Sequence, residues 1–315
     1  MKTRILGLHH VTATVADAQE DLDFYTGLLG LRLVKKTVNF DNHHVYHFYY
    51  GDESGTPGTI WTTFPYKGKG VPQGTRGTGQ IGTTSFSVPA GSLEFWRRRL
   101  ADHQVPIFAR GERLGEEVLT FADPSGLTIE LVATGRDSRA PRTTANIDAG
   151  FAIRGLFGVT LVLRDIPRSL DFLTQVLGFE VAHQSGSLTR IALNGDAPGR
   201  VMDLLHSPAE PAGRNGLGTV HHVAMAIPDG ASQLEVRADL VRLGFHVTEV
   251  RDRQYFQSIY FREPGGVLYE IATMQPGFTF DESLSELGND LKLPPWEEPS
   301  RAEIEAGLPG VALRR

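Results

Sequence analysis

The fold is decided by residues 220–229, VHHVAMAIPD, which have a near-copy in residues 8–17, LHHVTATVAD. In each stretch, β-branched and small apolar residues alternate before an aspartate, a pattern that predicts a short β-strand ending in a turn. Since successive side chains of a strand point to opposite faces, only one histidine of each pair can face a given site. The first histidine shares its face with apolar residues, so the sequence predicts that His10 and His222 face a cavity. Two such histidines on distant strands suggest a metal site.

Each histidine strand opens a unit that recurs along the chain. After the first strand, residues 19–31 have apolar side chains at helical spacing, and Gly30 lies where a helix is expected to end. Three strand-like runs follow, over residues 32–38, 45–50 and 58–64. Similar units open further along the chain, at residues 82–89, 155–165 and 220–229. The repeat therefore predicts four units of one strand, one helix and three strands.

Four βαβββ units predict an α+β fold of two open, barrel-like cups with helices outside, because one unit cannot cover both faces of its own sheet. The polar segment 135–150 has no apolar period, and we interpret it as a linker. We therefore assign an N-terminal domain to residues 1–137 and a C-terminal domain to residues 151–315, with two units in each. The second domain includes a tail from Pro276 onward, in which a helix is predicted over residues 282–291.

The composition excludes several classes of protein. The chain has 315 residues and a net charge of −6, so nothing favours nucleic acid or an anionic membrane as a partner. It has no apolar run approaching the roughly 18 residues that a membrane helix needs. The apolar stretch at its start is too short, and polar residues follow it too early, for a signal peptide. We therefore expect a cytoplasmic location. The absence of cysteine excludes disulfides and thiolate ligands, so any metal must be held by imidazole and carboxylate groups.

Aligning the four units brings the candidate metal ligands into one cup. Two opening strands supply histidines and one closing strand supplies a carboxylate, which gives the set His10, His222 and Glu270. The equivalent positions of the other cup contain no histidine and are Thr83, Gly158, Glu130 and Asp203. The second cup therefore reads as filled or vestigial.

Two histidines and one carboxylate on one face of an octahedral ion leave about three positions open. That arrangement suits Fe(II) with a chelating substrate and dioxygen side by side, and it is poor for a structural zinc, which usually has four protein ligands. The alternative is that each histidine pair is a strand end satisfied by the backbone. Two pairs in equivalent strands, together with a carboxylate at an equivalent position, favour the metal site.

These residues resemble the vicinal-oxygen-chelate superfamily, which includes glyoxalases, extradiol dioxygenases and fosfomycin-resistance proteins. The resemblance covers essentially the whole chain and is strongest to bacterial ring-cleaving dioxygenases that open para-hydroquinones. It lies in residues 8–10, 55–59, 62–65, 203–206, 221–222, 255–256, Tyr260, 264–266, 277–279 and 290–292. The last of these segments lies outside the common fold and is the more specific for that reason.

The resemblance implies an Fe(II) enzyme of aromatic-compound degradation, with manganese or zinc as metals that a purified sample could contain. Its implied substrates are a hydroquinone-like aromatic and O₂, which is inserted next to a hydroxylated ring carbon. The implied iron ligands are His10, His222 and Glu270, in agreement with the face argument. Further catalytic roles around the metal are implied for His9, Thr12, His221, Arg253 and Tyr260. The resemblance also implies a homo-oligomer.

Two other functions stay open at this point. One is a glyoxalase-like isomerase or lyase that acts on a small chelating substrate with Ni, Zn or Mn. Such enzymes usually have four protein ligands, and the fourth position falls within residues 60–63, IWTT, which offer no carboxylate. The other is a metal-free protein that binds an aromatic ligand, which would not need both histidines and Glu270 together.

Several single residues also have ordinary structural interpretations. Tyr260 could lie at the sheet surface, Arg253 could pair with Asp252 or Glu249, and Thr12 could be a plain strand residue. His43 and His44 read as turn residues. Glu130 and Asp203 are interpreted as structural residues. His47 is interpreted as an ordinary packed strand residue, and the alternative is that it lines the cup.

Overall fold

The structure is a computed structural model that describes residues 4–313. The first unit contains β1 (Gly7–Val15), the short helix α1 (Ala18–Leu22), a π-helical segment (Asp23–Leu28), β2 (Arg32–Asn39), β3 (Asn42–Gly51) and β4 (Ile60–Pro65). The second contains β5 (Gln80–Pro89), α2 (Leu93–Asp102), β6 (Ile107–Arg113), β7 (Glu116–Ala122) and β8 (Thr128–Thr134). Both follow the predicted order of strand, helix and three strands.

The other two units repeat this order. The third contains β9 (Gly155–Leu163), α3 (Ile166–Gln175), β10 (Glu180–Ser185), β11 (Leu188–Ala192) and β12 (Val201–His206). The fourth contains β13 (Thr219–Ile227), α4 (Gly230–Arg242), β14 (Arg251–Asp252), β15 (Gln257–Arg262) and β16 (Leu268–Thr273). The aspartates that follow β1 and β13 cap the next helices: Asp17 accepts from the backbone of Gln19 and Glu20, and Asp229 from that of Ser232.

Two curled eight-stranded sheets form the cups, which confirms the predicted fold class. Their strand orders are β14-β15-β16-β13-β1-β4-β3-β2 and β10-β11-β12-β9-β5-β8-β7-β6. Each sheet therefore combines one unit from each half of the sequence, joined at its centre by antiparallel pairing of the two opening strands. The division into residues 1–137 and 151–315 stays a prediction about the sequence halves, and neither cup is built from one half alone.

The central pair β1 and β13 contains two β-bulges, and each bulge is the first histidine of a pair. Leu8 is opposite Met225 and His10 is opposite Ala224, so His9 is the extra residue of β1. In a second shift, Thr12 is opposite His222 and Ala13 is opposite Val220, so His221 is the extra residue of β13. A bulge interrupts the alternation of side chains and re-aims the residue that it inserts. Strict alternation was therefore wrong for His221, which lines the same cavity as His222. His9 is buried, as predicted.

The C-terminal tail packs across the edge of the first sheet instead of forming the predicted helix. Residues 281–290 are turns, bends and coil, Leu291 forms a β-bridge with Lys36, and the tail helix is α5 (Arg301–Gly307). The buried Lys35 ammonium of β2 pairs with Asp281 at 2.5 Å and with Glu282. Because an unpaired buried ammonium is costly, these ion pairs hold the segment against β2 in an irregular path that local helix propensity cannot reveal.

A second buried polar cluster joins the first and second units. The Asp21 carboxylate of α1 accepts hydrogen bonds of 2.6 Å from Tyr50 Oη and Thr63 Oγ1. Nearby, Tyr25 Oη donates to Asp123 at 3.1 Å. Burial raises the pKa of Asp21 to about 8 and that of Asp123 to about 6, and the hydrogen bonds from these hydroxyls oppose the shifts. Both carboxyls are therefore costly to ionise in the folded protein.

Asp21→Asn is expected to make the protein more stable at alkaline pH. An unfolded aspartate titrates near pH 4, so the folded state holds an extra proton between about pH 4 and pH 8, and the free energy of unfolding falls across that range. The amide keeps an acceptor for Tyr50 and Thr63 and has no charge to bury. We expect Tm to rise by about 5 °C at about pH 8.5 and to change little at about pH 5, measured by thermal unfolding. Equal shifts at both pH values, or a shift in the exposed control Asp102→Asn, would contradict this.

Candidate metal centre

Three strands of the first sheet bring two imidazoles and one carboxylate together. His10 lies on β1, His222 on β13 and Glu270 on β16, and all three side chains are buried. His10 Nε2 is 3.3 Å from His222 Nε2 and 3.3 Å from Glu270 Oε2, and His222 Nε2 is 2.8 Å from the same oxygen. The three predicted ligands are therefore a single compact group, with their polar atoms directed at one another.

The spacing of these atoms fits a single divalent ion. Ligand atoms about 2.1 Å from an ion lie about 3 Å apart when they occupy adjacent octahedral positions. Ser258 Oγ donates to Glu270 Oε1, and Oε2 has no hydrogen-bond donor among the described residues. Burial raises the pKa of Glu270, but His10 and His222 outweigh it and hold the pKa well below its usual range. A carboxylate and two imidazole nitrogens in a dry site form a donor set that a metal cation would satisfy.

Each bulge histidine contacts the candidate ligand histidine that follows it. His9 Nδ1 is 2.9 Å from His10 Nδ1, and His221 Nδ1 is 2.7 Å from His222 Nδ1. Burial, reinforced by the neighbouring histidine, lowers the pKa of His9 and of His221 to about 3. Neutral imidazoles can accept Nδ1–H from His10 and His222, which leaves each Nε2 unprotonated and free to ligate. That tautomer is the one that a metal requires.

The cluster lines a cavity of about 370 Å³. Its walls combine aromatic rings with a few polar groups, and its lining residues include Thr12, Asn39, Asp41, His47, Tyr49, Phe64, His221, Arg253, Phe256 and Tyr260. Phe256 lies 5.3 Å from His10, measured between ring centroids, and Phe64 lies 4.3 Å from His47. Aromatic walls and convergent polar groups are typical of a small-molecule site.

Arg253 and Tyr260 lie in the cavity wall and contact each other. Arg253 Nε donates to Tyr260 Oη at 3.0 Å, and Nη2 donates to Asp41 Oδ2 at 3.0 Å. Burial raises the pKa of Tyr260, with Glu270 adding to the effect and Arg253 opposing it, so its hydroxyl stays protonated. The partner of Arg253 is thus Asp41 rather than Asp252 or Glu249. The sequence held no signal for this contact, because only folding brings the β2–β3 connection beside β14.

Thr12 and His47 belong to one hydrogen-bonded chain. Thr62 Oγ1 donates to Thr12 Oγ1 at 2.8 Å, and His47 Nε2 lies 2.9 Å from Thr62 Oγ1. Burial, with His10 and Arg253 nearby, lowers the pKa of His47 well below its usual value. Thr12 is therefore more than a plain strand residue, and His47 lines the cup.

In the second sheet, ion pairs occupy the place that corresponds to the candidate metal centre. Gly82 and Phe157 are the bulge residues of β5 and β9, so Thr83 and Gly158 take the positions of His222 and His10. Two arginines fill the space between the carboxylates. Arg190 contacts Asp203 at 2.7 Å and Glu116 at 2.6 Å, while Arg113 bridges Asp203 and Glu130. The carboxylates are thus held by structural ion pairs, as their sequence interpretation expected.

Arg190→Met is expected to destabilise the protein without loss of metal. Removing one member of a buried ion-pair network leaves uncompensated charge, at a cost of about 3–5 kcal/mol, or about 10 °C in Tm. Thermal unfolding and metal analysis of the same sample check the two halves of this expectation. The Arg97→Met variant removes a partly exposed ion pair with Glu94 and serves as the control, with little change in Tm. A loss of metal in Arg190→Met at full folding would contradict the separation of the two cups.

A second group of possible ligands lies on the surface. His43 and His44 stand at the start of β3, directly after the turn, and their ring nitrogens lie near the Glu303 carboxylate. His43 Nδ1 pairs with Glu297 at 2.8 Å, and His44 and Glu303 are exposed. This group ties the tail to the β2–β3 hairpin.

No helix among the described residues is long and apolar enough to span a membrane.

Comparison with known proteins finds a family model, named relatives and a solved structure that match this chain. The model of the Glyoxalase/Bleomycin resistance protein/Dioxygenase superfamily matches residues 7–131 and 155–271. MhqO of Bacillus subtilis, provisionally named a ring-cleaving dioxygenase, is 44% identical over 308 residues, which cover 98% of this chain and 97% of that protein. The chlorohydroquinone/hydroquinone 1,2-dioxygenase of Sphingobium indicum is 35% identical over 309 residues, 96% of this chain and 95% of that protein. A crystal structure of a B. subtilis protein, provisionally named a dioxygenase, is 43% identical with a TM-score of 0.94 and covers 99% of both chains.

Proposed function

Since this chain belongs to the Glyoxalase/Bleomycin resistance protein/Dioxygenase superfamily and is an enzyme of its ring-cleaving dioxygenase branch, we propose that it is an Fe(II)-dependent, extradiol-type dioxygenase that opens a hydroquinone-like ring. The single observation that carries the proposal is the buried group of His10, His222 and Glu270 in an aromatic-lined cavity. Three protein ligands on one side leave about three coordination positions for a phenolic oxygen and O₂.

Fe(II) bound to this triad would acidify a coordinated phenol and supply the one-electron chemistry that triplet O₂ requires. The balanced reaction breaks one ring carbon–carbon bond beside a hydroxylated carbon, and both oxygen atoms of O₂ enter the ring-opened product. The substrate is oxidised by four electrons and O₂ is reduced by four, so no further reductant is needed.

The cavity residues have separable roles in this reaction. Because Tyr260 Oη already accepts from Arg253 Nε, its own hydrogen can be donated into the cavity. Together with the Arg253 guanidinium it provides donors toward negative charge that develops on substrate oxygens. His221 lines the cavity as a neutral imidazole. Its Nδ1 accepts from His222, so its proton is on Nε2 and it can act as a hydrogen-bond donor. His9, in contact with His10, orients the ligand ring.

The alternatives lack a matching feature. In the first unit, the position equivalent to Glu270 is Thr62. Glu270 pairs with Ala224, two residues after His222, and Thr62 pairs with Thr12, two residues after His10. Its hydroxyl is engaged by Thr12 and His47, so a fourth carboxylate ligand of the glyoxalase-like kind is missing. A metal-free binding protein would leave the buried triad without a use. A cytoplasmic location, a homo-oligomeric state and the absence of nucleic-acid partners stay predictions.

Oxygen consumption tests the proposal. The protein is loaded with Fe(II) under anaerobic conditions and offered hydroquinone, methylhydroquinone and catechol in turn, with dissolved O₂ followed by an electrode. We expect one O₂ per hydroquinone consumed and a ring-opened product. No uptake by protein with iron verified in the site would contradict the dioxygenase and favour a non-redox reaction of the superfamily.

Tyr260→Phe is expected to keep the metal and slow turnover about 10-fold, because one donor to the developing charge is removed while the ring and its packing stay. Tyr46→Phe is the matched control, since the Tyr46 hydroxyl bonds to the backbone of Pro309 outside the cavity. Steady-state kinetics and iron content are measured for both variants. Unchanged kcat in Tyr260→Phe would return Tyr260 to a structural role.

A further inference from the structure

We propose that His47 determines substrate specificity by accepting, at Nδ1, a hydrogen bond from the substrate hydroxyl that is not bound to the metal. The consequence is a preference for para-dihydroxy rings with a free second hydroxyl. The inference rests on the proposed function, since it concerns the same cavity and substrate class.

His47 and the metal ligands lie on different flanks of the cavity. In the strand order β16-β13-β1-β4-β3, Glu270 stands on β16 and His47 on β3. His47 is therefore two strands away from His10, or about 10 Å along the sheet before its curl brings the flanks together. The cavity between them is lined by both residues. A ring bound to the metal through one oxygen extends into this space.

The hydrogen bonds of His47 set which of its nitrogens is free. Thr62 donates its hydroxyl hydrogen to Thr12 at 2.8 Å, so Thr62 Oγ1 is an acceptor toward His47 Nε2 at 2.9 Å. Nε2 therefore carries the proton of the neutral ring, and Nδ1 has the lone pair. Within residues 4–313, Nδ1 makes no hydrogen bond, and it is not among the buried polar atoms that lack a partner. Nδ1 is thus an accessible acceptor in the cavity lining.

Aromatic packing fixes the orientation of this acceptor. The His47 ring centroid lies 4.0 Å from that of Tyr49 and 4.3 Å from that of Phe64. The ring is held between these neighbours and anchored at Nε2, so Nδ1 cannot turn away without loss of both interactions. A preorganised acceptor of this kind discriminates between ligands that do and do not present a donor.

The geometry of dihydroxy rings makes the selection specific. An ortho-diol can place both oxygens on one metal ion and leaves no hydroxyl for a distant acceptor. A para-diol has its second hydroxyl at the opposite end of the ring, where it can donate to His47 Nδ1. A para-methoxyphenol keeps the ring and the metal-binding hydroxyl but has no second donor, so it separates the hydrogen bond from the packing.

The test compares two variants that each keep one half of the imidazole. In His47→Gln the amide can still donate to Thr62 from near the Nε2 position, but the acceptor at Nδ1 is lost. In His47→Asn the amide oxygen lies near the Nδ1 position, while the bond to Thr62 is lost. Affinities of the metal-loaded protein for hydroquinone, 4-methoxyphenol and catechol are measured by anaerobic titration calorimetry, with Tm and metal content verified for each variant.

We expect the unsubstituted protein to bind hydroquinone about 10-fold more tightly than 4-methoxyphenol, and His47→Gln to lose this preference. His47→Asn is expected to keep most of it, and catechol affinity to change less than about 2-fold in either variant. An undiminished preference in a folded, metal-loaded His47→Gln would overturn the inference, as would an equal loss of affinity for all three ligands. Oxygen uptake by the unsubstituted protein is recorded separately, because its absence contradicts the proposed reaction, whereas the binding preference alone decides the role of His47.

Discussion

Glu270→Gln is expected to lower the affinity for Fe(II) by at least about 100-fold and to abolish oxygen uptake, because the charged ligand of a three-ligand site is replaced by a neutral amide. The Glu270 Oε2 atom lies 2.8 Å from His222 Nε2 and 3.3 Å from His10 Nε2, so the amide occupies the same place without its charge. The fold should persist, since the amide can still accept from Ser258. Metal content after equilibration against a chelator of known affinity, together with Tm, measures both expectations.

The repeat supplies a matched control for this variant. Glu130 occupies the position of Glu270 in the second unit, beside β5 instead of β13, and is also buried. Its partners are Ser85 and Arg113 rather than histidines. Glu130→Gln should therefore lower Tm and leave the iron content unchanged. Normal iron affinity in Glu270→Gln would remove Glu270 from the ligand set.

Arg253→Met is expected to lower kcat/KM for hydroquinone by about 100- to 1000-fold with the metal retained, as for the loss of a preorganised donor to developing charge. The guanidinium holds Tyr260 through Nε and Asp41 through Nη2, so its loss also frees the Tyr260 hydroxyl. Arg253→Lys keeps the charge but cannot reproduce both contacts, and we expect an intermediate loss.

The control for Arg253 is Arg251→Met. Arg251 pairs with the same aspartate, Asp41, at 3.1 Å, but it is exposed and does not line the cavity. Its loss should change kcat/KM less than about 3-fold, because exposed ion pairs contribute little. A comparable loss of activity in both variants would mean that activity depends on the ion pairs with Asp41. That result would contradict the role of Arg253 inside the cavity.

The proposed metal ligands are the part of the site that could best be predicted from the sequence. His10, His222 and Glu270 emerge from side-chain alternation within strands combined with the repeat, and both are local patterns. The four units are visible for the same reason. The pairing of the first unit with the fourth also followed, because the only combination that gathers two histidines and a carboxylate is the one that the first sheet forms.

Features that depend on sheet register, or on contacts between residues far apart in the sequence, could not be predicted from the sequence. The bulge that turns His221 into the cavity exists only in the pairing of β1 with β13. Asp41 and Arg253 are 212 residues apart along the chain and meet through folding alone. The path of residues 281–291 follows from the buried Lys35 ammonium, whose demand for carboxylates overrides local helix propensity. In each case a tertiary contact determines the local structure, and the local sequence pattern does not.

The proposed reaction inserts O₂ into a hydroquinone-like ring at a metal held by His10, His222 and Glu270. The most direct measurement is mass spectrometry of the product formed by Fe(II)-loaded protein from hydroquinone and ¹⁸O₂, with the aldehyde reduced at once so that its oxygen does not exchange with water. We expect a ring-opened product that carries both labelled atoms, and no such product from Glu270→Gln. An intact ring, or a product without label from a fully iron-loaded protein, would contradict it.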